Sequence, residues 1–262
     1  THNRFVGYQN WLAKRAERRG MGVTAKRRLA CERSHTVSVR SRLNALYVNR
    51  REVRKSRRLT GFSSYSQFGE DAILNSLVGD RQGVYLDIGA GHPVTYSNTY
   101  AFYRRGWSGV LVEPLPSNVE HAQRVRPRDT VVGALCGDET KGLVDLYEYS
   151  QYEYSTTEPE RVAELSARGL EPVALHQLPI RGIDDLVATH QLEAIDILSV
   201  DVEGAEMSVL LSADWSHFRP HIAVIEEWES PIRERTAVWD FMQRQGYELS
   251  AVTGFSSIYV AR

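Results

Sequence analysis

Four short apolar runs in this sequence end in carboxylates, and a pair of glycines follows the first of them. Gly83-Val-Tyr-Leu-Asp-Ile-Gly-Ala-Gly-His92 carries Asp87 near the end of its run, then Gly89 and Gly91 at alternate positions. Glycines so placed let the backbone turn sharply and approach a ligand where a side chain would collide. Gly109-Val-Leu-Val-Glu-Pro114 ends in Glu113, a little over twenty residues past the glycines. That is the separation at which a carboxylate receives ribose hydroxyls, so the two motifs together point to a cofactor containing adenosine. The third glycine of a dinucleotide fingerprint is missing, because position 94 is Val and Pro93 precedes it. A ligand with ribose hydroxyls and no pyrophosphate fits better, and S-adenosylmethionine is the commonest.

The second pair of acid-tipped runs is Ile195-Asp-Ile-Leu-Ser-Val-Asp201 and His221-Ile-Ala-Val-Ile-Glu-Glu227. Methyl transfer from a sulfonium is an in-line displacement, so the enzyme must position the acceptor and help remove its proton. A sugar hydroxyl is a very weak acid and needs a base or a metal. Asp201 and Glu203 fall at a strand-to-helix turn, with Gly204 allowing close approach; His92 and Glu226 are further base candidates. For each of these four, capping or salt bridging is the competing role. Asp201, Glu226 and Glu227 could together offer oxygen ligands to one octahedral Mg²⁺, which would orient acceptor oxygens and lower a hydroxyl pKa. Alternatively, Arg181, Arg233 or water relieves the repulsion among these acids.

The elements that must position these residues follow from the same runs. Buried strands are expected at 83–88, 109–113, 130–135, 195–201 and 221–227, because each is a short continuous apolar stretch. Between them lie helical stretches: one opening at Ser66 and running to about Val78, then 96–105, 118–125, 184–191 and 206–211. Gly142–Tyr149 alternates as an edge strand that 179–183 pairs with, Tyr149–Thr157 reads as a loop or lid, and 158–168 as a short helix. Thr236–Gln245 is helical, and 247–250 with 255–261 form a closing antiparallel pair. Strands alternating with helices, with acids at the strand ends, mean an α/β doubly wound, mostly parallel sheet with a late antiparallel strand and its site along one edge.

With the elements in place, the chain resembles the FkbM family of methyltransferases. The matching pieces are Ser66-Gln-Phe-Gly-Glu-Asp71, Tyr85-Leu-Asp-Ile-Gly-Ala-Gly91, Tyr96-Ser-Asn-Thr99 with Gly106-Trp107, Val112-Glu-Pro114 and Asp201-Val-Glu-Gly-Ala-Glu206. The resemblance covers roughly residues 63–262 and implies the class I methyltransferase (Rossmann-like) fold. It further implies methyl transfer from S-adenosylmethionine to oxygen, with acceptors that are often sugar or polyketide hydroxyls. On this resemblance the cofactor set is Gln67, Asp87, Gly89, Ala90, Gly91, Asn98, Glu113, Leu115 and Asp201. Where many members carry Lys ahead of the Asp-x-Glu-Gly motif, this chain has Ser199.

A net charge near zero hides a division. Residues 1–60 hold 17 Lys and Arg against 3 Asp and Glu, about +14, which leaves the remainder at about −15. Residues 1–60 therefore read as a basic extension, with 37–58 as one long helix, ahead of a catalytic domain over 61–262. The extension would serve as a homo-oligomerisation arm or a cap on the acidic domain, or would bind an anionic surface or polyanion. Cys31 and Cys136 are the only cysteines, which fits a reducing cytoplasm, and the first residues lack a signal-peptide core. No apolar run approaches bilayer length. The expected function is an O-methyltransferase acting on a sugar, glycan or glycosylated metabolite. A nicotinamide-dependent dehydrogenase or epimerase is disfavoured by Val94 and by the lack of a Tyr-x-x-x-Lys pair. A basic-armed binding module with a degenerate cofactor site is the non-enzymatic alternative.

Overall fold

The computed structural model describes residues 63–228, 232 and 235–262. The expected helix over 37–58, Cys31 and Arg233 lie outside the described residues. All elements below belong to one unit, Phe62–Arg262.

In chain order the strands are β1 (Val84–Ile88), β2 (Ser108–Val112), β3 (Thr130–Val132), β4 (Leu135–Cys136), β5 (Leu143–Glu148), β6 (Ala174–Arg181), β7 (Ile197–Val200), β8 (Ile222–Glu226), β9 (Tyr247–Thr253) and β10 (Ser256–Ala261). The helices are α1 (Glu70–Val78), α2 (Tyr100–Arg104), α3 (Pro116–Val125), α4 (Pro159–Ala167), α5 (Ile183–His190), α6 (Glu206–Leu210) and α7 (Ala237–Arg244). Seven strands form the main sheet in the order β3-β2-β1-β7-β8-β10-β9. All of its pairings are parallel except those of β10, which runs antiparallel to both β8 and β9. This is the doubly wound architecture with a late antiparallel strand that the sequence led us to expect. The strand order reverses between β1 and β7, so the loops leaving these two strands open a crevice at their carboxyl ends.

Every residue of β7 and β8 is buried, which is why these strands are continuously apolar rather than alternating. The two faces carry separate cores. Leu86, Ile88, Leu198, Val200, Ala223 and Ile225 pack on one face with Trp215, Phe241 and Met242. Tyr85, Leu111, Ile197 and Val224 pack on the other with Leu74, Phe102 and Trp107. Because successive strand residues point to opposite faces, this parity fixes the side on which each terminal acid emerges.

Several expected boundaries shift; the strand expected at 179–183 is β6, which begins at Ala174 and ends at Arg181. The strand beginning at Thr130 stops at Val132, and Leu135–Cys136 instead joins a second sheet of order β4-β6-β5. The apolar run continues across this point, but the chain changes sheets at Gly133-Ala134. Helix α1 starts at Glu70 rather than Ser66, because Asp71 accepts hydrogen bonds from Ser64 Oγ (2.7 Å), Tyr65 N (2.7 Å) and Ser66 Oγ (2.9 Å). Those bonds fold 64–69 into a turn ahead of the helix. Helix α2 is confined to Tyr100–Arg104, since Tyr96 sits at φ +64° and Ser97 Oγ accepts from Tyr100 N at 3.1 Å. No helix among the described residues is long and apolar enough to cross a membrane.

Candidate active site

The glycine loop leaves β1 and is tied to the end of β2. Gly89 N and Ala90 N both donate to Val112 O, at 2.9 and 3.1 Å, and Gly91 N donates to Glu113 Oε2 at 2.8 Å. Gly89 is at φ +76°, and a Cβ there would run into the Asp201 carbonyl. Glycine is therefore required here by the β7 turn pressed against it and by the positive φ. Glu113 is buried, and its other oxygen accepts from Leu115 N (2.9 Å) and Asn118 Nδ2 (3.3 Å). Burial raises its pKa, opposed by those hydrogen bonds. Three bonds leave one lone-pair direction of the carboxylate for a ligand hydroxyl.

Asp87 has the parity of Tyr85 and points beneath the loop, away from the cavity described below. It accepts from Thr99 Oγ1 at 2.5 Å, and burial raises its pKa against the pull of the Arg126 guanidinium. Arg126 is fully buried; it pairs with Asp129 at 2.7 Å and donates to Thr99 Oγ1 at 2.9 Å and Ser97 Oγ at 3.3 Å. Its guanidinium lies over the Tyr85 and Tyr103 rings, and Tyr85 OH donates to Asp129 at 2.7 Å. The segment 93–99 is thereby fastened to the sheet from behind. Sequence reasoning missed Arg126; its only signal was an Arg three residues ahead of an Asp. Asn98 is likewise turned inward, donating to Ser199 Oγ at 3.3 Å.

The second half of the site is acidic. Asp201, Glu203 and Glu226 each bring a carboxylate oxygen within 4.8 Å of the others. Asp201 and Glu226 are hydrogen-bonded, carboxyl to carboxylate. Burial, then the charges of Asp201 and Glu203, pushes Glu226 up to about 10; burial also lifts Asp201 to about 6. Glu203 rises to about 7, through burial and then Asp201. Glu226 Oε2 is buried and has no hydrogen-bond partner among the described residues. Glu203 stands at φ +55°, a strained backbone for a non-glycine residue, in a turn that Glu206 braces by accepting from Gly204 N at 2.9 Å.

Two expected members of this half are elsewhere. Glu227 follows Glu226 and so emerges on the opposite face, where it accepts from Tyr259 OH at 2.5 Å and from Thr236 Oγ1. The carboxylates that converge are thus Asp201, Glu203 and Glu226, not Asp201, Glu226 and Glu227. Arg181 turns to Asp185 on α5 and does not relieve the cluster. His92 reaches the site, but its Nδ1 accepts from Val94 N (3.2 Å) and Thr95 N (3.0 Å). With Nδ1 so used, the proton sits on Nε2, which suits loop capping and not proton abstraction.

A cavity of about 860 Å³ joins the two halves. Gln67, Gly89, Ala90, Gly91, His92, Glu113, Leu115, Asp201, Glu203 and Glu226 line it; Asp87, Asn98 and Glu227 do not. The expected lid, Tyr149–Thr157, forms a wall of this cavity, closed by the Tyr147–Thr156 bridge and a short turn over Tyr152–Tyr154. The Tyr152 ring lies 3.5 Å from where a Gly91 Cβ would be, between Glu113 and Asp201, and burial pushes its phenol up to about 12. Tyr152 belongs to the expected lid, whereas Trp228 and Phe255, which also line the cavity, carried no sequence signal, because their place depends on how loops fold over the sheet.

The chain is similar in structure to a TehB-like SAM-dependent methyltransferase from Corynebacterium glutamicum (15% identity, 84% of this chain, 100% of that one, TM-score 0.39). It is similar too to a methyltransferase from Geobacter sulfurreducens (14%, 85% and 96%, 0.41) and to Aeropyrum pernix fibrillarin with natively bound S-adenosyl-L-methionine (14%, 73% and 73%, 0.38). No curated protein matches the sequence. The methyltransferase FkbM domain matches residues 87–249, from the acid of β1 through β9 and across every residue of the acidic cluster. This protein belongs to the FkbM family of S-adenosylmethionine-dependent methyltransferases.

Proposed function

We propose that this methyltransferase acts on a hydroxyl oxygen of a sugar, glycan or glycosylated metabolite, with a divalent cation such as Mg²⁺ held by Asp201, Glu203 and Glu226. The observation that carries the proposal is the buried, unpartnered Glu226 Oε2 in a group of three carboxylates confined within 4.8 Å. Such an oxygen is costly unless something positive or a proton-bearing group meets it. A hard cation takes carboxylate oxygens of this kind, so the residues fit one.

S-adenosylmethionine supplies an electrophilic methyl group and a neutral thioether leaving group. The chain's own residues do the rest. Glu113 offers its remaining lone pair to the ribose hydroxyls, and the loop Gly89–Gly91 brings backbone close to the ligand. Across the cavity the acid cluster holds the acceptor hydroxyl and receives its proton as the new C–O bond forms. Without a cation in the cluster, Glu203, raised to about 7 by burial and then by Asp201, is matched to that proton transfer near neutral pH. A cation among the three carboxylates would orient acceptor oxygens and lower the hydroxyl pKa.

The test is methyl transfer from labelled cofactor to a panel of glycosides, with and without chelator. Chelation is expected to abolish turnover, to spare S-adenosylhomocysteine binding, and to be reversed by Mg²⁺ or Mn²⁺. Full turnover in metal-free enzyme would remove the cation and leave the Asp201–Glu226 pair holding a proton, with Glu203 as base.

A further inference from the structure

We infer that Trp228 is the platform of the acceptor subsite and that the subsite takes an uncharged pyranose ring bearing neither phosphate nor carboxylate. This rests on the sugar-hydroxyl reading above and deepens it. Trp228 leaves the sheet two residues after Glu226 and is 61% exposed, although it lines the same cavity as Asp201, Glu203 and Glu226. A tryptophan left this open beside a catalytic crevice has an unused apolar face.

The platform is built from three separate elements. The Trp228 ring lies against Phe255 (centroids 4.8 Å apart, planes 34° apart), and Phe255 meets Phe68 edge-on at 5.6 Å. Phe255 belongs to the β9–β10 turn, where its carbonyl accepts from Glu227 N at 2.6 Å. Phe68 comes from the turn before α1; its carbonyl accepts from Thr253 Oγ1 at 2.9 Å, and its ring covers Gly254 so closely that a Cβ there would collide with it. Backbone bonds thus set the angle of the wall before any ligand arrives.

An occupant must satisfy both the wall and what lies beside it. The apolar rings favour a flat C–H face, and Glu203, Glu226 and Gln67, which line the same cavity, offer acceptors for hydroxyl donors. A pyranose presents both. Charge narrows the class. Of the described residues lining the cavity, seven are carboxylates, and only Lys141 and Arg161 are cationic. Even with one divalent cation among Asp201, Glu203 and Glu226, the seven carboxylates exceed the positive charges, so a phosphate or carboxylate on the acceptor would enter a field of its own sign in a partly desolvated space, where repulsion is several-fold stronger than in water.

The experiment titrates methyl hexopyranosides and the corresponding hexose 6-phosphates, by calorimetry, into full-length enzyme saturated with S-adenosylhomocysteine. At least one glycoside is expected to bind the wild type, and its 6-phosphate to bind at least tenfold more weakly. Trp228→Ala should weaken the glycoside about tenfold, as loss of a stacked ring does, and Trp228→Phe should restore most of it. Affinity of both variants for S-adenosylhomocysteine should stay within twofold of wild type, which reports an intact fold. Equal glycoside affinity in Trp228→Ala, or a 6-phosphate that binds as tightly as the neutral sugar, overturns this inference while leaving the sugar reading in place. If every glycoside fails to bind enzyme that still binds S-adenosylhomocysteine, the sugar reading falls and the platform falls with it.

Discussion

At the scale of single residues, the site consists of carboxylates whose environments have been set apart. Glu113 is satisfied by backbone N–H groups, whereas Glu226 has one oxygen with no partner and shares a hydrogen bond with Asp201. The sign of the resulting pH dependence follows directly. Asp201, Glu203 and Glu226 hold protons more tightly in the folded chain than in the unfolded one. Their stabilising contribution is therefore fully present below the unfolded carboxylate range, at roughly pH 4, and is lost as pH rises through their folded values. In chelator, the melting temperature should fall between pH 5 and pH 9, and Glu226→Gln should flatten most of that fall. Added Mg²⁺ should raise the wild-type value chiefly at the alkaline end, where the carboxylates are ionised. A wild-type melting temperature independent of pH would show that the three groups are not coupled as described.

At the scale of elements, the sequence was most legible where burial alone decided structure. Each strand of the parallel part of the main sheet announced itself as a short apolar run, and the loops carrying Gly89 and Asp201 followed from where those runs ended. It was least legible where a one-residue difference decides a face. Asp87 shares the face of Asp201 and Glu226 but sits two residues deeper in its strand, where Thr99 covers it, while Glu227, one residue past β8, turns to the opposite face and Tyr259. Periodicity cannot report such a choice at a strand end. Nor could it reveal Arg126, whose burial depends on Asp129, Ser97, Thr99 and two tyrosine rings gathered from distant positions. That cluster has a large predicted effect. Arg126→Met should cost about 3–5 kcal/mol in urea unfolding, because it strands buried Asp129 and Asp87 without their counter-charge. Arg124→Met, two residues earlier and exposed in its 3.8 Å pair with Glu120, should change stability by less than about 0.5 kcal/mol. Similar losses for the two variants would mean that the buried network is not what fastens segment 93–99.

At the scale of the whole molecule, the division of charge sets the expectations. The segment 1–60, about +14, precedes a remainder of about −15 that contains every residue of the proposed site. Deleting 1–60 should leave S-adenosylhomocysteine affinity within about twofold, since every cofactor motif lies beyond Gly61 and, among the described residues, the lining begins at Gln67. If the segment caps its own or a neighbouring chain, the truncated protein should sediment differently by more than its lost mass. If it instead serves an anionic partner, the intact chain should bind anionic vesicles or nucleic acid with strong salt dependence, and the truncated chain should not. An affinity drop of tenfold or more on truncation would place part of the cofactor site within the segment itself.

The position of β10 has a consequence for how the molecule is assembled. This strand is the last of the main sheet in the chain but lies between β8 and β9, bonded on both sides. Until it inserts, β8 and β9 each present a bare hydrogen-bonding edge, and the turn bearing Phe255 has no fixed course. The acceptor wall is thus completed by the last strand of the sheet in the chain, and until that strand pairs, the edges of β8 and β9 stay exposed. Shortening the chain by only the residues from Ser256 onward would split β9 from the sheet and bare the edge of β8 as a template for aggregation, with the glycine loop and every carboxylate of the site still in the sequence.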